Sequence, residues 1–178
     1  MIMNEIIIYG SCYGTTKQYA EELAKRTGYE LVSYDDVVDD INTYKTIIYL
    51  GGLYAGGVMG MKKTLKKLTD ISDKKIIIAT VGLADPTDKE NRENIRNKMK
   101  SQLSKDIFEN ATILHLRGGI DYSKLNFKHK TMMGMVYKKA VNLPEEKKNA
   151  EVRAMIETYD KQAYFVDFDS LDIIINSI

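Results

Sequence analysis

"IIIYGSCYGTTKQYAEELAKR", residues 6–26, passes from a bare apolar run into an amphipathic helix through a turn of small and hydroxylated residues and one tyrosine. The run Ile6 to Tyr9 barely alternates, the pattern of a strand covered on both faces. Tyr19, Ala20, Leu23 and Ala24 fall on one stripe of the following helix. Between the two, Gly10 to Thr16 offers backbone N–H groups with little side-chain bulk, at a helix N-terminus where the dipole favours an anion. Ser11, Thr15 and Thr16 add hydroxyl donors, so the turn reads as a phosphate cradle.

Outward from this turn, four more short apolar runs recur: Glu30 to Tyr34, Thr46 to Leu50, Lys75 to Val81 and Thr112 to Leu116. Helical stripes lie between them. Met61, Leu65 and Leu68 form one, and Ile95, Met99 and Leu103 form another within residues 88–105, with Asp88 as N-cap. The end, "DFDSLDIIINSI", spaces Leu171, Ile174, Ile175 and Ile178 as a closing helix capped by Asp169 or Ser170. Strands alternating with helices imply an α/β fold: a five-stranded parallel sheet wound on both faces by right-handed crossovers. Such sheets bind ligands at the carboxyl ends of their strands, where the winding reverses. The loops after Tyr9, Leu50 and Val81 are therefore the candidates.

Three phosphate chemistries are excluded by the residues at their required positions. A P-loop NTPase needs a lysine directly after the second glycine, and Gly14 is followed by Thr15 and Thr16. A cysteine phosphatase built on Cys12 needs an arginine six residues on, where Gln18 lacks the charge and the fork. A phosphorylated receiver domain needs acids after the first and third strands and a lysine after the fifth, but this chain has Ser11, Gly51 and Arg117. A phosphate monoester held without chemistry remains.

Lys plus Arg number 26 and Asp plus Glu 25, a net charge of +1, so no whole-molecule field gathers nucleic acid. One cysteine and two histidines, His115 and His129, do not suggest a disulfide framework or a metal cluster. No basic region precedes the first apolar run, and no run approaches the ~18 apolar residues needed to span a bilayer, so a cytoplasmic address is expected. The length of 178 residues suits a single domain, 1–178.

"SCYGTT" at 11–16 resembles the Ser/Thr-x-Thr-Gly-x-Thr phosphate loop of the flavodoxin family, with Tyr13 departing from the Thr or Ser that the family usually has there. The resemblance covers residue 5 to about 118 and the closing helix, and it implies a flavodoxin-like fold with FMN as cofactor. It places Ser11, Cys12, Tyr13, Gly14, Thr15 and Thr16 on the phosphate. It places Leu53, Tyr54, Ala55 and Gly56, in "YLGGLYAGGVMGMKK", with Gly82, Leu83, Ala84 and Asp85, in "ATVGLADPTDKEN", on the ring. Tyr54 offers a face for stacking. The second of these loops has no aromatic residue, leaving that flavin face open to a substrate, a quinone or another part of the chain.

About fifty residues separate the fifth strand from the closing helix, far more than the fold needs. Within them "LRGGIDYSKLNFKHKTMMGMVYKKA" looks like the insertion, here about 119–145, of flavodoxin-type, menaquinone-dependent protoporphyrinogen oxidases and their relatives. That likeness implies an oxidoreductase acting on a flat substrate such as a tetrapyrrole, with a quinone as acceptor. The soft apolar and lysine-rich surface of the segment suits such a ligand or a membrane headgroup plane. It suits equally a lid on its own domain. Asp85, Asp88 and Asp121 are candidates for tuning the flavin, or solvated loop acids. A non-catalytic FMN carrier between protein partners is the alternative function, and a domain that binds a different phosphate ligand or none, with Tyr13 filling the site, a third.

Overall fold

The computed structural model describes residues 4–37 and 40–178, so the reading of residues 1–3 lies outside it. Five parallel strands, β1 (Glu5–Gly10), β2 (Glu30–Ser33), β3 (Thr46–Tyr54), β5 (Lys75–Gly82) and β6 (Thr112–Arg117), form a sheet in the order β2-β1-β3-β5-β6. The two-residue β4 (Gly57–Val58) turns back antiparallel on β3. The doubly wound five-stranded sheet expected from the sequence is thus the observed one.

Side chains of successive strand residues point to opposite faces, and the register aligns them into two cores. Ile7, Ile48 and Ile77 lie abreast on the face covered by α1 (Thr15–Thr27) and the C-terminal segment. Ile6, Ile47 and Ile76 lie abreast on the other face, under α2 (Met61–Leu65), α3 (Lys89–Lys100) and α4 (Lys105–Asn110). Winding reverses between β1 and β3, which opens a crevice at their carboxyl ends.

Several boundaries differ from the sequence reading. Strand β3 runs on to Tyr54, so Leu53 and Tyr54 are strand residues and the turn is Ala55–Gly56. Both turn residues have positive φ, 49° and 81°, the geometry of a tight hairpin. A Cβ is strained there. Ala55→Gly is expected to raise stability by about 1 kcal/mol, and an unchanged or lowered thermal midpoint would show that the turn carries no strain.

The helix expected over 88–105 is two helices. Asp88 does cap α3, accepting from Asn91 N–H, but Leu103 folds back on Met99 O and Ser104 caps α4. Leu68 lies beyond the short α2 yet still packs on the core. The closing helix is shorter than its apolar spacing predicts. A 3-10 turn, Phe168–Leu171, is capped by Asp167 rather than Asp169 or Ser170, and α7 covers only Asp172–Ile175. Leu171 and Ile174 are buried whereas Ile178 is exposed, as suits an isoleucine-rich run of low helix propensity.

The added segment is longer than 119–145. It comprises β7 (Gly119–Asp121), α5 (Phe127–Val141), α6 (Ala150–Thr158) and β8 (Gln162–Tyr164). Strands β7 and β8 pair antiparallel, Gly119 opposite Tyr164, and Phe165 N–H donates to Gly118 O at 2.9 Å. The excursion therefore leaves and returns at one point. Tyr159 stacks on Tyr137 at 3.9 Å and meets Tyr122 edge-on at 5.2 Å, fixing α6 to α5.

Candidate functional site

The first loop is shaped by its own backbone. Ser11 Oγ accepts from Gly14 N–H at 3.1 Å, and Gly14, at φ 93°, turns the chain into α1. No side chain caps α1 and its first turn holds no acid. By contrast α3, α4, α5 and α6 each start on a side-chain cap, from Asp88, Ser104, Asn126 and Asn149. The first amides of α1 are thus left to solvent or ligand, with the dipole behind them.

Thr15 and Thr16 sit at this opening, close to two glycines on other strand ends. A Cβ on Gly118 would lie 2.7 Å from Thr15 Oγ1, and one on Gly52 would lie 3.1 Å from Thr16 Oγ1. Thr16 is buried. Hydroxyls and uncapped amides without a competing carboxylate form a donor set that fits a phosphate monoester.

The three loops line one cavity of about 340 Å³. Cys12, Tyr13, Thr15 and Thr16 form its wall on the α1 side, Leu53, Tyr54, Ala55 and Gly56 on the β3 side, and Gly82, Leu83 and Ala84 on the β5 side. Ser11, Gly14 and Asp85 do not line it. Ser11 and Gly14 shape the loop, while the Asp85 carboxylate accepts from both the amide and the hydroxyl of Thr87, which hold it below the usual carboxylate range. Asp88 and Asp121 are likewise engaged in local caps, so none of the three acids is a loose charge.

Tyr13 and Tyr54 meet edge-on at 6.4 Å, and both meet His129 of α5 edge-on, at 6.2 and 6.4 Å. Their hydroxyls reach the sulfurs of Met133 and Met132, at 4.0 and 3.9 Å. Burial, reinforced by Cys12 and Tyr54, pushes the Tyr13 phenol well up. Burial also raises the Cys12 thiol, which disfavours the thiolate a nucleophile would need.

Residues 6–161, most of the chain, match the Flavodoxin domain family. The chain belongs to that family. Membership implies a flavin cofactor. No curated protein matches the sequence. Among solved structures, the Trp repressor binding protein of Bacillus subtilis is 18% identical with a TM-score of 0.45, over 64% of this chain and 81% of that one. A mutant flavodoxin of Pseudomonas aeruginosa is 14% identical with a TM-score of 0.40, over 77% and 96%. Scores this low carry nothing further.

This flavodoxin domain has cavity walls outside its three loops, and the sequence reading missed them. Asn91 and Ile95 of α3, His115 of β6, and Glu151 and Met155 of α6 extend the cavity. Arg117 Nε donates to Leu83 O at 2.9 Å, its guanidinium lying 3.7 Å from the Phe165 ring, and so steadies the β5 loop. The Tyr19 hydroxyl donates to Arg117 O and accepts from Asp167 N–H. The glycine pair Gly118–Gly119, resembling those at the other loops, was the available signal for this fourth wall.

Proposed function

We infer that this flavodoxin domain binds FMN, with the phosphate at residues 11–16 and the ring in the cavity, and that it is an oxidoreductase moving electrons between a small or flat substrate and an acceptor such as a quinone. The observation that carries this reading is the uncapped, hydroxyl-lined N-terminus of α1, opening onto the same cavity as Tyr54 and Gly82–Ala84. Bound FMN would supply the electron-transfer chemistry. The chain binds it, orients it and excludes water through Met132, Met133 and Val136 of α5.

This cover favours an enzyme over a bare carrier, because the inserted helices stand where a protein partner would approach the ring. Phe127 and Met135, 86% and 63% exposed among the lysines of α5, form the face through which a membrane contact would act. Among the described residues no helix is long and apolar enough to cross a membrane.

The test is titration of the purified protein with FMN, followed by visible absorption and dithionite reduction. Bound, reducible flavin is the expected result, and absence of binding would overturn the reading. Thr16→Ala is expected to weaken FMN by about 1–2 kcal/mol, the worth of a hydrogen bond to a charged group. Unchanged affinity would remove Thr16 from the cradle.

A further inference from the structure

We propose that the deep end of the cavity, between α3 and α6, is a subsite for an uncharged, oxygen-bearing molecule with an apolar body, held through Nε2 of His115. The proposal rests on FMN occupying the three loops. Asn91, Ile95, His115, Glu151 and Met155 belong to none of those loops, so this recess extends past the cradle. Its outer wall is α6, and it therefore exists only because of the inserted segment.

Three polar side chains line the recess, and two are committed. Asn91 Nδ2 donates to Asp85 O at 3.0 Å, and Glu151 is ion-paired with Lys98 of α3. His115 differs. It is 9% exposed, and its Nδ1 is taken by Thr80 Oγ1 at 2.7 Å. Among the described residues nothing hydrogen-bonds Nε2. A ring nitrogen without a protein partner, on a residue that lines a cavity, is open to a hydrogen bond from a ligand.

The recess also selects on charge. Lys98 and Glu151 cancel one another, and no unpaired charge lines the rest. Burial first, then Arg96 and Arg92 on the adjoining α3, pushes the His115 imidazole down to about 4, so it is neutral near pH 7. Ile95, Val81 and Met155 supply apolar surface. Arg92 and Arg96 oppose a cation, and an anion would lose its hydration without an unpaired cationic side chain on the lining to replace it. A neutral carbonyl or hydroxyl compound satisfies Nε2 and buries its carbon skeleton.

Acetophenone, benzoate and benzylammonium share a phenyl ring and differ in charge. Each is titrated into the FMN-loaded protein, with binding read from the imidazole signals of 15N-labelled protein and from flavin absorption. Acetophenone is expected to shift the His115 signal and to bind about tenfold more tightly than either ion. His115→Phe should weaken it about fivefold and His115→Gln, which keeps a hydrogen-bonding head, about twofold, with FMN affinity unchanged. Should His115→Phe not fold, the wild-type shift and the charge ranking decide. Equal binding of the ions, no shift of His115, or an unaffected His115→Phe protein would overturn the proposal. Protein that binds FMN but not acetophenone refutes the subsite alone, whereas protein that binds no FMN refutes the functional reading with it.

Discussion

Gly60→Ala is expected to destabilise the protein by roughly 3–5 kcal/mol, the sum of a left-handed backbone and an overpacked contact. Gly60 starts α2 at φ 74°, where a Cβ would lie 2.3 Å from Tyr34 Cγ and 2.5 Å from the Tyr49 hydroxyl. Neither neighbour yields readily. Cγ is the root of the Tyr34 ring, and the Tyr49 hydroxyl is anchored on Met59 O at 2.5 Å within the core. Gly28 provides the control, because it has the same φ of 74° at the end of α1 but open space around it. Gly28→Ala should cost only about 1–2 kcal/mol. Equal urea midpoints for the two variants would show that the Tyr34 contact contributes nothing.

The second large effect is a dependence of stability on pH set by His115. Its imidazole is pushed from the ordinary 6.5 to about 4, by burial first and then by Arg96 and Arg92. Between those values the unfolded chain binds a proton at this ring and the folded chain does not, so stability falls as pH falls. The loss is on the order of 3 kcal/mol by the low end of that window. Carboxylates held low by turn hydrogen bonds, such as Asp85 and Asp121, lose their contribution only as pH falls below the ordinary carboxylate range. Urea unfolding in the upper part of the window therefore reads chiefly the imidazole. His115→Gln should flatten the slope, and a slope unaltered by that change would place its origin elsewhere.

The sheet was legible because β1, β3 and β5 are continuous apolar runs, the local signature of strands buried on both faces. The loop at 11–16 was legible for a similar reason, since small residues between a strand and a helix leave few physical alternatives. The inserted segment was only half legible. Strands β7 and β8 are three residues each and meet across the whole excursion, so nothing local in either announces the other. In α5 only Ala140 is buried, which gives its sequence little periodicity to read. His115 was read only as one of two histidines too few for a metal cluster, because a histidine in a strand declares no role until Thr80, from the neighbouring strand, takes one of its nitrogens. The isoleucines at the C-terminus fitted a long helix by spacing, and Asp167 ended that reading by capping a tighter turn.

The junction at Gly118 and Phe165 has a consequence for how such a protein changes over time. The chain between these residues joins the sheet at one narrow neck, where the Phe165 N–H to Gly118 O bond and the β7–β8 ladder close the loop. Splicing the chain from Gly118 to Phe165 would leave all five parallel strands and the turn at 11–16 in place, while removing the α6 wall and the methionine cover. The segment is in this sense a cassette: descendants can exchange, lengthen or discard it, altering what reaches the cavity while the turn at 11–16 is inherited unchanged.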